Sequence, residues 1–154
     1  MNDASFMDMA LAEAEAAGAR GEVPVGAVVV EGASGRVIAS TGNRMAETGD
    51  PTGHAEMLAI RAAIGVLTDN PHGRALAGCD LYVTLEPCAM CAQAIAFAHI
   101  RRLYYGAGDP KGGGVEHGAR IFEQPTCHHR PEIYPGIGEQ RAGALLTAFF
   151  KSLR

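Results

Sequence analysis

The sequence predicts an α/β protein, a three-layer α/β/α sandwich built on a mixed sheet. Three observations carry that expectation. Short β-branched runs alternate with stretches of helical periodicity, the order that gives a sheet covered on both faces. The first two strand segments are joined by a short glycine turn, so the sheet opens with an antiparallel hairpin. The 154 residues, 47% of them hydrophobic, suffice for one buried core, and 1–154 reads as a single domain.

The elements follow in order. Ser5, with Asp8 three residues on, resembles a capping box, and Phe6, Ala10, Ala14 and Ala17 recur at helical spacing until Gly18 to Gly21 end the helix. Val23 to Val30 reads as a buried strand with Pro24 confined to its start. Val37 to Ser40 is its hairpin partner across Gly32 and Gly35. Thr41 to Thr52 is polar and reads as a loop. Asp50-Pro51 signals a helix start, with Asp50 as the cap, and the helix runs through Met57, Ile60, Ile64 and Leu67. Asp80 to Leu85 is a third strand. Glu86-Pro87 repeats the start signal for a helix from Cys88 to about His99, apolar on nearly every face and expected to be buried. Leu103 to Tyr105 is a fourth strand, Gly106 to Gly114 a glycine-rich loop, Ala119 to Phe122 a short helical piece, and Glu132 to Tyr134 a fifth strand. A last helix, from about Gly138 to Leu153, sets Ala142, Leu146, Phe149 and Leu153 at core spacing.

Composition narrows the function classes. No apolar stretch approaches the ~20 residues of a membrane span. The start, MNDASFMDMALAEAEAAG, carries acids where a secretory leader carries basic residues. A cytoplasmic protein without a membrane partner is expected. No repeat recurs at a fixed period. The net charge of −4 counts against a nucleic-acid partner, but the charge is uneven: residues 1–100 hold 5 basic and 12 acidic side chains, residues 101–154 hold 8 and 5. That asymmetry is either chance scatter or a local basic face; it permits RNA without requiring it.

The four cysteines are Cys79, Cys88, Cys91 and Cys127. A disulfide framework does not suit a chain of this class, and Cys88-x-x-Cys91 reads as metal ligands or a redox pair. Its setting matters. Both His54-Ala55-Glu56 and Pro87-Cys88-Ala89-Met90-Cys91 fall where a helix begins. Positions i and i+3 share a helix face, so Cys88 and Cys91 aim two thiolates at one point, and a helix N-terminus lowers their pKa. His54 as a third ligand leaves a fourth zinc position open, the mark of a catalytic rather than a structural site. His54 and Glu56, two apart, share a centre only if His54 lies in an irregular first turn. Two thiolates neutralise the zinc charge, so bound water is acidified less and a nearby base must take its proton. Glu56 is placed for that general acid–base role.

Other candidates have plainer explanations. Cys127-His128-His129 are adjacent in a loop, where side chains rarely converge on a metal. Cys79 reads as a small buried hydrophobe. His72, His99 and His117 read as surface or satisfied core residues, Tyr104 and Tyr105 as strand packing. Arg101-Arg102 reads as a solvated strand entry or a phosphate contact. Phe150 lies off the core stripe, either packing peripherally or lining a nucleic-acid surface.

The motifs Gly21-Glu-Val-Pro-Val-Gly-Ala-Val, Gly42-Asn-Arg, Asp50-Pro-Thr-Gly-His-Ala-Glu and Leu81-Tyr-Val-Thr-Leu-Glu-Pro-Cys-Ala-Met-Cys, with Gly106 to Lys111 and Phe149-Phe150-Lys151, resemble the bacterial tRNA-specific adenosine deaminases over essentially the whole chain. These are zinc deaminases of the cytidine/deoxycytidylate deaminase superfamily, whose His-x-Glu…Pro-Cys-x-x-Cys signature matches here. The resemblance implies a cytidine-deaminase-like fold with a five-stranded sheet, a homodimer, one Zn2+ per subunit, and conversion of the wobble adenosine of a tRNA anticodon loop to inosine. It implies His54, Cys88 and Cys91 as zinc ligands and Glu56 as proton shuttle. Asn43 matches a side chain that hydrogen-bonds the purine. Asp109 and Lys111 match the loop that meets the flipped nucleotide and its backbone, while His129 and Phe150 match residues lining the RNA cleft. Two departures stand out: Gly53 replaces the usual alanine, and the chain ends at Arg154 without the long basic tail of some members. The alternative is a deaminase of a free base or nucleoside, guanine or cytosine, with the same metal site. A non-catalytic zinc module would have no need of Glu56.

Overall fold

Five strands make the sheet: β1 (Gly26–Glu31), β2 (Val37–Gly42), β3 (Cys79–Leu85), β4 (Arg102–Ala107) and β5 (Glu132–Tyr134). They lie in the order β2-β1-β3-β4-β5. The computed structural model describes residues 2–67 and 76–154; His72, read above as surface or satisfied core, lies outside them. β1 pairs antiparallel with β2 and β3, while β3–β4 and β4–β5 are parallel. A tight turn allows the first pairing, and a crossover helix between β3 and β4 the parallel one. The mixed five-stranded sheet is the one expected.

Helices cover both faces. α1 (Asp3–Ala19) and α5 (Glu139–Ser152) pack on one side; α3 (Ala55–Val66) and α4 (Ala89–Phe97) lie on the other. Alternation along the strands divides the core accordingly. Val28, Val30, Tyr82 and Tyr104 face α1, whereas Ala27, Val29, Leu81, Val83 and Leu103 face α3 and α4. Tyr82, Tyr104 and Tyr134 are partners in the parallel register, and their rings stack at 4.4 and 4.9 Å. The small residues of α1 allow a close approach: a Cβ at Gly26 would fall on the Ala10 carbonyl and lie 2.7 Å from Ala14 N.

Several expectations need correction. α1 is capped by Asn2, whose Oδ1 accepts from Ser5 N at 3.0 Å, so Ser5 lies inside the helix. Asp50 does not cap α3. Its Oδ1 accepts from Thr52 N at 2.8 Å and Thr52 Oγ1 at 2.7 Å, closing a turn instead. His54 is the N-cap. The polar stretch 41–52 contains a short helix, α2 (Met45–Thr48). α4 is not enclosed: Cys91, Ala92, Ile95 and Ala96 are buried, but Phe97 is 71% exposed. On α5 the core contact comes from Ala142, Leu145 and Leu146, while Leu153 is exposed.

Candidate active site

Two helix starts deliver the donors. His54 and Cys88 are the N-caps of α3 and α4, both with extended backbone (φ −74°, ψ 149° and φ −70°, ψ 173°), and Cys91 sits in the first turn of α4. The extended cap resolves the angular conflict between His54 and Glu56, because only Glu56 follows the helix. His54 Nδ1 lies 3.6 Å from Cys88 Sγ and 3.5 Å from Cys91 Sγ. Zinc–nitrogen and zinc–sulfur bonds of about 2.1 and 2.3 Å at a tetrahedral angle separate N and S by about 3.6 Å. The donor set therefore fits zinc. Among the described residues no fourth His, Cys, Asp or Glu joins the group, which leaves one coordination position to a small molecule.

Protonation follows the same geometry. A hydrogen bond from Cys91, and a second contact with His54, bring the Cys88 thiol down to about 4. Its pairing with Cys88 and its burial hold Cys91 up, and the contact with Cys88 raises His54. A cation takes these ligands in their deprotonated forms, so its binding is linked to proton release. Glu56 is 4% exposed; burial pushes its carboxyl up, and it hydrogen-bonds Cys91.

His54, Glu56 and Cys88 open on a cleft of about 250 Å³, lined also by Val23, Val25, Asn43, Met45, Leu85, Glu86, Asp109 and Gly112. Asn43 is held at its wall: Nδ2 donates to Val23 O at 3.0 Å, and Oδ1 accepts from Ala55 N at 2.8 Å. One N–H and one lone pair of the amide remain for a bound molecule. Asp109 Oδ1 accepts from Lys111 N and Gly112 N. Lys111 and Phe150 line an adjoining groove together with Asp109, Leu146, Leu153 and Arg154. His129 is not brought to either cavity. Its Nε2 donates to Ile100 O at 2.7 Å and its ring packs on His99, next to the N-terminal end of β4, whereas the cleft lies beyond the C-terminal ends of β3 and β4. A hydrogen bond to a strand-entry carbonyl fixes it there.

Two buried carboxylates at the cleft have roles the sequence reading misses; it takes Glu86 only as part of a helix-start signal. Glu22 accepts from Ala46 N at 2.9 Å and Glu47 N at 2.8 Å, anchoring α2 beside Asn43. Glu86 accepts from four backbone N–H groups of the 109–117 loop. For both, burial raises the carboxyl, but the hydrogen bonds outweigh it and hold it below the ordinary range. Their partners lie 23 to 31 residues away, beyond any local motif; the one signal was an acid next to an apolar strand.

Comparison with known proteins agrees with this geometry. Residues 1–107 match the family model described as the cytidine and deoxycytidylate deaminase zinc-binding region. A tRNA-specific adenosine deaminase of Agrobacterium fabrum is 56% identical over 97% of this chain and 94% of its own. A solved structure from studies of A-to-I editing by tRNA:A34 deaminases at the wobble position of transfer RNA is 57% identical, with a TM-score of 0.86 over 92% of this chain and 99% of that one. A guanine deaminase of Nitrosomonas europaea shares the fold, at 24% identity and a TM-score of 0.81, over 96% of this chain and 84% of its own.

Proposed function

The chain belongs to the tRNA-specific adenosine deaminases and carries the zinc-binding region of cytidine and deoxycytidylate deaminases; from that premise we propose that it hydrolyses adenosine to inosine at the wobble position of a tRNA anticodon. The convergence of His54, Cys88 and Cys91 beside Glu56 at the mouth of a cleft carries the reading. His54, Cys88 and Cys91 hold one Zn2+. When bound, the ion would polarise water as a Lewis acid, but two thiolates blunt its charge, so a base must take the proton. Glu56 accepts a proton from that water as its oxygen bonds to C6 of the purine. The carboxyl returns that proton to ring nitrogen N1, then takes the second water proton from the C6 hydroxyl and passes it to the amine, so the C6–N bond breaks, C6=O forms and ammonia leaves. Burial suits Glu56 to hold a proton between these transfers.

Asn43 offers its remaining N–H and lone pair to the purine edge, and Asp109 meets the flipped nucleotide. Lys111 and Phe150 flank the neighbouring nucleotides in the adjoining groove. A single-stranded loop suits this arrangement, since an unstacked base costs little to extrude. Residues 1–154 act as one deaminase domain, supported by the alignment of the whole chain with its relatives. A homodimer is supported by the exposure of Phe97 on α4, and a cytoplasmic location by the tRNA substrate. No described helix is long and apolar enough to cross a membrane.

The test is ammonia release and inosine formation from an anticodon stem-loop, measured beside free adenosine, guanine and cytidine. Turnover of the stem-loop is expected; turnover of the free compounds alone would replace this reading with that of a base or nucleoside deaminase.

A further inference from the structure

The Glu86 side chain has no solvent exposure, yet five donors converge on it. Oε1 accepts from Asp109 N at 2.9 Å and from His117 Nδ1 at 2.6 Å. Oε2 accepts from the N–H groups of Val115, Glu116 and His117 at 3.0–3.1 Å. Gly114 N donates to Pro87 O at 2.8 Å. The loop therefore wraps one enclosed anion, its backbone dipoles compensating the charge. Glycine is required where the wrap is tightest. A Cβ at Gly113 would stand 2.5 Å from Glu86 Cδ, and one at Gly114 would stand 2.5 Å from Ala89 N and 2.8 Å from the Cys88 carbonyl carbon. The turn that presents Cys88 to the metal thus grips this loop as well.

We infer that Glu86 is a positioning residue for substrate: its carboxylate sets the Asp109–Gly112 wall of the cleft in register with the metal donors. This rests on the reading of Asp109 given above. Glu86 touches no reacting atom; it acts through Asp109, whose placement decides how well the nucleotide is held. The variant Glu86→Gln turns one acceptor into a donor facing backbone N–H groups.

The holoenzyme of Glu86→Gln should keep one zinc per chain and a kcat on the anticodon stem-loop within about twofold, while KM rises about tenfold. In an Asp109→Ala background the same change should shift KM by less than about twofold, because the path through Asp109 is already cut. A general loss of stability would not vanish in that background. Loss of zinc, KM effects that multiply in the double variant, or an Asp109→Ala enzyme with unchanged kinetics would each overturn the inference. Should Glu86→Gln fail to fold, hydrogen exchange on the wild-type holoprotein decides. The amides of Asp109, Val115, Glu116 and His117 should be protected together, and exchange at the open-loop rate would overturn the anchoring. Wild-type enzyme that makes no inosine while those amides stay protected would remove the substrate reading and the role assigned to Asp109, leaving the anchor itself standing.

Discussion

At the scale of single residues the site divides into groups the sequence displays and groups it conceals. His54, Glu56, Cys88 and Cys91 lie in two short segments whose spacing already states their chemistry. Glu22 and Glu86 are defined by amides far along the chain, and no spacing announces them. Asn43 is intermediate: the family likeness marks it, but only the structure shows its amide bridging Val23 O and Ala55 N. The division of labour predicts distinct losses. Glu56→Ala should retain zinc, measured by metal analysis, while turnover falls about 10²–10⁴-fold; Cys88→Ala should lose both. The two hidden carboxylates predict a pH effect. A carboxyl held low in the folded state contributes stability that is complete above its unfolded value, about 4.3. That contribution is lost as pH falls through the lower folded value. Both Glu22 and Glu86 are held low, so denaturation midpoints should drop on acidification below about 4.3. Glu22→Gln should flatten that limb while lowering stability near neutrality.

At the scale of elements, strand and helix order was legible because alternation and helical periodicity are local properties. Boundaries were not, wherever two start signals competed. Asp50-Pro51 has every mark of a helix start, yet Thr52 captures the Asp50 carboxylate and closes a turn. The cap falls four residues later, at His54, whose backbone is left extended. The displacement serves the proposed site, since a helical His54 would point away from Glu56. Packing sets the other limit. Gly26, the first residue of β1, is where α1 lies directly on the strand. Gly26→Ala places a methyl against helix backbone that has no side chain to move aside. Urea denaturation should show a loss of about 1–3 kcal/mol or more, with zinc content unchanged in the protein that remains folded.

At the scale of the whole molecule the uneven charge of the sequence resolves differently from a simple basic face. Four of the eight basic residues in 101–154 are engaged by acids: Arg101 with Asp80, Arg102 with Glu132, Arg120 with Glu123, and Arg141 with Asp8 and Glu15. Lys111 and Arg154 flank the groove beside the cleft, so the cationic character that matters is local. The exposed apolar residues make a second departure from the sequence reading, which has α4 enclosed. Phe97 is 71% exposed, and it continues the stripe through Ala89 and Gln93 at four-residue spacing on the side turned from the sheet. Exposure of a large aromatic on so apolar a helix is costly in water, and burial of a Phe side chain is worth roughly 1.5–3 kcal/mol. The homodimer proposed above would cover this face, and two of the metal donors, Cys88 and Cys91, sit at the other end of the same helix. Phe97→Glu places a charge on that face without touching His54, Cys88, Cys91 or Glu56. Analytical ultracentrifugation should find the wild type dimeric and the variant monomeric, each with one zinc per chain. A variant that remains a dimer would assign the contact to another face.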